Sequence, residues 1–163
     1  MIKKKICILG AFAVGKTSLV EKYVKSIFSD KYHTTIGVKT DQKDLIIDGK
    51  DVRLIIWDIN GEDDYQHVRP SYLTGVSGFL LVVDGTRKET LKVAMDLKNL
   101  VFKTVGAKEF ILMINKSDLK DSWELNPKDI ETIEEMGWKV VQTSAKTGAQ
   151  VDETFMALAN SII

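Results

Sequence analysis

Near the amino terminus, Gly10-Ala11-Phe12-Ala13-Val14-Gly15-Lys16-Thr17 sets two glycines, a lysine and a threonine at the spacing of a phosphate-binding loop. Glycines let the backbone curl so that successive N–H groups face one anion, and a helix starting at the loop's end directs its positive pole at the same point. Lys16 adds a point charge for the outer phosphates, and the Thr17 hydroxyl suits Mg²⁺. Ala13, Val14, Gly15, Lys16, Thr17 and Ser18 are therefore candidate phosphate-binding residues. Such a loop alone separates neither adenine from guanine nucleotides nor a kinase from a switch.

Three later groups narrow the chemistry. Trp57-Asp58-Ile59-Asn60-Gly61 ends an apolar run with a carboxylate placed to reach Mg²⁺ through water, and with a glycine whose N–H can meet a γ-phosphate. Asn115-Lys116-Ser117-Asp118 is guanine-selective: the Asp118 carboxylate can accept from both the ring N–H and the exocyclic amine of guanine, a donor pair that adenine lacks. In Thr143-Ser144-Ala145-Lys146, backbone N–H groups of Ser144, Ala145 and Lys146 could meet the guanine carbonyl.

These groups need elements to hold them. Ile6-Cys7-Ile8-Leu9, Leu54-Ile55-Ile56-Trp57, Phe79-Leu80-Leu81-Val82-Val83 and Phe110-Ile111-Leu112-Met113-Ile114 are continuous apolar runs of strand length, the pattern of strands covered on both faces of a parallel sheet. Leu91, Ala94, Met95, Leu97 and Val101 fall on or near one face of a helix-like stretch, as do Val151, Phe155, Leu158 and Ala159. Such alternation predicts an α/β doubly wound sheet, which binds ligands beyond the carboxyl ends of its strands. Asp48-Gly49 between apolar residues predicts one antiparallel hairpin. Stretches at about 27–40 and 60–75 lack strong periodicity and read as long, functional loops.

In this order, the motifs resemble those of the Ras superfamily of small GTPases over essentially the whole chain. The resemblance implies a P-loop NTPase G domain spanning residues 1–163 as one unit. Its sheet would be six-stranded and mostly parallel, with one antiparallel strand and helices on both faces. It further implies GTP/GDP as ligand with Mg²⁺, GTP hydrolysis, and protein effectors with exchange or GTPase-activating factors acting through switch loops at about 30–40 and 60–75. Phe28 lies where the family has an aromatic edge against guanine, and Thr35 matches the switch threonine that ligates Mg²⁺ when a γ-phosphate is present. Lys16, Thr35, Gly61 and Glu62 occupy the positions implied for catalysis. Thr34-Thr35-Ile36-Gly37 looks like the Rab branch, whereas Asp64 to Pro70 looks closer to Rho proteins; the interval from Asn115 to Thr143 has no room for the Rho helical insert. The chain reads as Rab/Ras-like.

Two departures bear on hydrolysis. Phe12 stands where the family carries a small residue, and its ring could block the attacking water or a partner's arginine. Glu62 replaces the glutamine that orients this water; an ionised carboxylate accepts but cannot donate, and adds negative charge near the phosphates. Slow turnover is expected. The alternative is a nucleotide-stabilised scaffold, deficient in hydrolysis and reset by exchange.

Composition bounds the remaining possibilities. At 163 residues the chain has single-domain length, and 23 basic against 23 acidic residues leave no positive field for nucleic acid. Cys7 alone cannot form an intrachain disulfide, and its apolar neighbours suggest a core position in a reducing compartment. The apolar runs are too short to span a bilayer. A cytoplasmic location is expected, peripheral to membranes if the natural chain is longer. Ile2 and the terminal Asn160-Ser161-Ile162-Ile163 offer neither a myristoylation glycine nor a prenylation cysteine, so no lipid anchor is expected in this chain. His33 and His67 lack companions at ligand spacing, Trp123 and Trp138 read as packing residues, and Lys3 to Lys5 as a solvated strand start.

Overall fold

Continuous apolar runs become strands here because alternate side chains enter two different layers, each closed by helices. A computed structural model describes residues 1–29, 37–59 and 68–163. In chain order its elements are β1 (Ile2–Gly10), α1 (Lys16–Lys25), β2 (Val38–Ile47), β3 (Lys50–Ile59), β4 (Val76–Asp84), α2 (Glu89–Val105), β5 (Glu109–Asn115), α3 (Pro127–Glu135), β6 (Val140–Gln142) and α4 (Val151–Ser161). The strands form one six-stranded sheet in the order β2-β3-β1-β4-β5-β6. All neighbours are parallel except β2 and β3. The doubly wound architecture expected from the sequence is thus present.

Ile6, Ile8, Leu80, Val82, Ile111 and Met113 share one core with Leu19 of α1 and Phe155 of α4. Cys7, Leu9, Phe79, Leu81, Leu112 and Ile114 point the other way, into a core with Ala94, Leu97 and Val101 of α2. Two-sided burial is why these strands show no polar alternation. Across the first core, Tyr23 stacks on Phe155 with ring centroids 4.0 Å apart.

Asp48 and Gly49, with φ of 50° and 77°, form the two-residue turn of the predicted hairpin, which pairs Ile47 with Lys50. The stretch expected as loop to about residue 40 gives way to β2 at Val38. Likewise the second stretch, expected to about 75, contains a 3₁₀ turn at Pro70–Leu73 whose Leu73 is fully buried. Lys5 departs from the solvated reading: its ammonium lies 3.7 Å from the Trp57 ring centroid and donates to the Thr74 carbonyl at 2.8 Å. Parallel register then brings the carboxyl ends of five strands to one edge, pairing Gly10 with Val82 and Asp84 with Asn115.

Candidate functional site

At that edge the loop between β1 and α1 is held from outside. Lys16, only 6% exposed, donates to the carbonyls of Gly10 at 3.1 Å and Ala11 at 3.2 Å. The Phe12 carbonyl accepts from Arg87 at 2.8 Å, that of Ala13 from Lys116 at 3.4 Å, and that of Val14 from the Asn115 amide at 3.0 Å. A planar trans peptide points its N–H opposite its C=O. Donors on the carbonyls of residues 12, 13 and 14 therefore turn the N–H groups of Ala13, Val14 and Gly15 the other way, where an anion can collect them. Burial pushes the Lys16 ammonium down to about 8, an effect partly offset by Asp58; an incoming polyanion would restore its preference for the charged form.

Gly15 caps α1 at φ 102°, a left-handed conformation suited to glycine. A side chain here would also run into the Asn115 amide nitrogen. This contact joins two motifs a hundred residues apart in sequence. Asn115, 2% exposed, continues the bridge: its Oδ1 accepts from Thr143 Oγ1 at 3.3 Å and from the Ala145 N–H at 3.2 Å. Two of the N–H groups expected to meet guanine thus have protein partners: that of Ala145 donates to Asn115, and that of Ser144 to the Ala149 carbonyl at 3.1 Å. Asp118 is exposed, and one of its oxygens accepts from Ser144 Oγ at 2.7 Å. Lys146 is exposed, and Phe28 is 37% exposed beyond the end of α1.

Thr17 Oγ1 donates to Asp58 Oδ2 at 2.5 Å. Asp58 is fully buried, and its Oδ1 has no hydrogen-bond partner among the described residues. Burial raises its pKa, while the Thr17 hydrogen bond and the Lys16 and Lys39 charges oppose the rise. A hydroxyl beside a buried carboxylate with an unsatisfied oxygen is a donor set that fits Mg²⁺ and its waters. Thr35, Gly61 and Glu62 lie outside the described residues, as do His33 and His67.

Two residues of this edge carry no recognised motif. Asp84 ends β4 with its side chain fully buried, 2.7 Å from the Lys116 ammonium. Arg87 reaches Phe12. A carboxylate directly after the apolar run Phe79–Val83 repeats the pattern of Trp57-Asp58 and was the available signal for Asp84. Trp123 packs as expected and also braces the loop that follows β5. Its indole lies where a Gly85 side chain would be, and its N–H donates to the Lys116 carbonyl at 2.8 Å. Lys116 itself is left-handed at φ 70°, a conformation that costs a non-glycine residue energy and is held here by the Trp123 hydrogen bond to its carbonyl and the Asp84 ion pair.

Comparison with known proteins bears on the whole arrangement. The model of the Ras family matches residues 5–163. The chain is 35% identical to Ras-related protein Rab-21 of Geodia cydonium, over 99% of this chain and 72% of that protein. To Ras-related protein Rab-13 of Canis lupus familiaris it is 28% identical, over 98% of this chain and 79% of that protein.

Proposed function

The chain belongs to the Ras family and is a GTP-binding molecular switch, and from that premise we propose how its own residues bind and turn over the nucleotide. Ala13 to Ser18 receive the phosphates, Asp118 receives guanine together with Lys146 at the end of the Ser144–Lys146 segment, the N–H groups of Ser144 and Ala145 being engaged within the protein, and Phe28 covers the base edge. The observation that carries this reading is the row of carbonyls at Phe12, Ala13 and Val14, each accepting from a side-chain donor, which turns the N–H groups of Ala13, Val14 and Gly15 towards one anion.

Thr17, and Asp58 through water, would hold Mg²⁺, joined by Thr35 when a γ-phosphate is present. The ion, when bound, neutralises charge on the phosphates. Gly61 offers its N–H to the γ-phosphate. Glu62 takes the sequence position of the family's water-orienting glutamine, and an ionised carboxylate can accept from that water but cannot donate to the phosphoryl group. Phe12, 38% exposed on the loop, adds a ring on the rim. Hydrolysis is accordingly slow, and residues 30–40 and 60–75 report the nucleotide state to effectors and to exchange or GTPase-activating factors. One G domain over residues 1–163 accounts for all of these parts. Among the described residues no helix is long and apolar enough to cross a membrane.

Single-turnover hydrolysis of pre-bound GTP tests the reading. Phosphate release on the order of 10⁻⁴ s⁻¹, faster in Glu62→Gln, is expected. Turnover of several per second by the protein alone would refute the slow-hydrolysis assignment, and failure of GTP to displace a fluorescent guanosine diphosphate would refute the binding site.

A further inference from the structure

Resting on the nucleotide reading above, we infer that Asp84 and Arg87 are positioning residues for the phosphate loop, setting how long a nucleoside di- or triphosphate stays bound. The Asp84 side chain is fully buried, and an unpaired carboxylate there would be strongly destabilising. It is not unpaired. Oδ1 accepts from the Thr86 N–H at 2.9 Å and the Thr86 hydroxyl at 2.7 Å, while Oδ2 lies 2.7 Å from the Lys116 ammonium and 3.9 Å from Arg87 Nη1.

Both cations continue to the phosphate loop, and to adjacent peptides: Arg87 to the Phe12 carbonyl and Lys116 to that of Ala13. One buried anion thus gathers two cations that arrive from different loops, and the pair fixes the direction of the Ala13 and Val14 N–H groups. Sheet register makes this possible, because Asp84 pairs with Asn115, the residue before Lys116. Arg87 suits this bridging position better than a lysine would. Its fork lets Nη1 serve the Phe12 carbonyl while Nε lies 3.4 Å from Glu89, whereas an ammonium is a single point charge.

Release of a fluorescent guanosine diphosphate from the Mg²⁺-loaded full chain tests the assignment. Arg87→Met is expected to release it about three- to tenfold faster, the scale of one half-exposed charge-assisted hydrogen bond, with Arg87→Lys between that variant and wild type. Because the effect belongs to the phosphates, affinity for the diphosphate should fall more than that for guanosine monophosphate, and preference for guanine over hypoxanthine should not change. Asp84→Asn should release still faster; should it fail to fold, the two Arg87 variants decide. Unchanged release in Arg87→Met, or equal losses for mono- and diphosphate, would overturn the inference alone. Wild-type protein that binds no labelled diphosphate would overturn the nucleotide reading, and this inference with it.

Discussion

Asp118 shows how much a single residue can be asked to decide. One of its oxygens is already fixed by the Ser144 hydroxyl, so the carboxylate arrives at the site with its direction set. Asp118→Asn should exchange guanine for xanthine preference, since an amide can donate to the carbonyl that replaces the exocyclic amine. Competition between guanosine and xanthosine diphosphates measures this, and an unchanged order would remove Asp118 from the base site. Ser144→Ala tests the support rather than the contact. It should weaken guanosine diphosphate binding by about tenfold or more through loss of the hydrogen bond that Ser144 donates to the Asp118 carboxylate, yet leave the order of bases intact; a reversed order in titration calorimetry would contradict a supporting role. Asp118, Lys16 and Thr17 stand out in the sequence as candidates because the chemistry proposed for them is carried by short spacings. Asp84 and Arg87 do not, because their partners are set by strand register and lie far away in sequence: Arg87 meets Phe12 only once β1 and β4 are paired.

Among the elements, those buried on two faces were the easiest to read. The runs within β1, β4 and β5 are continuous because both faces are covered, whereas in β3 the buried Leu54 and Ile56 alternate with half-buried Ile55 and Trp57; the helical faces of α2 and α4 carry the apolar spacing that buries Ala94, Leu97, Phe155 and Leu158. The helix α3 gave no comparable signal, since Ile133 is its single buried residue. Its start was written in another code, the cap: Asn126 Oδ1 accepts from the Asp129 N–H at 2.9 Å, Asp129 Oδ2 accepts from the Asn126 N–H at 3.0 Å, and Pro127 opens the first turn. With so little burial, the cap should contribute a large part of the helix's stability. Asn126→Ala is expected to cost about 1 kcal/mol, lowering the melting temperature by roughly 2–4 °C. Nucleotide affinity should stay at the wild-type value, because α3 supplies no residue to the proposed site. Calorimetric melting and a binding titration on the same sample check both halves.

For the molecule as a whole, Cys7 is a reporter placed at the centre. It sits mid-strand in β1, fully buried, and burial pushes its thiol up to about 12 despite the nearby Lys5 charge. Below pH 9 the thiol is protonated in both folded and unfolded chains and gives no pH dependence. Between about 9 and 12 the unfolded chain loses a proton that the folded chain keeps, so this group makes stability fall as pH rises. A thiol reagent at pH 8 should therefore modify Cys7 only through opening of the sheet, at a rate that drops when nucleotide is added. Labelling at the rate of a free thiol in native protein would contradict the position of β1.

The outside ties on the loop between β1 and α1 bear also on the timing of conformational entropy. Fixing one residue's backbone costs about 1–2 kcal/mol at room temperature. Here the carbonyls of Gly10 through Val14 are tethered by the protein's own side chains, so this ordering is completed during folding rather than on arrival of a ligand. A polyphosphate then meets dipoles already aligned, and little of its interaction energy is consumed in arranging them. Aligned N–H dipoles at the start of α1 and the buried Lys16 charge concentrate positive potential in one place. The chain's stability should accordingly lean on the ligand by mass action, making the bound form the natural resting state of the fold.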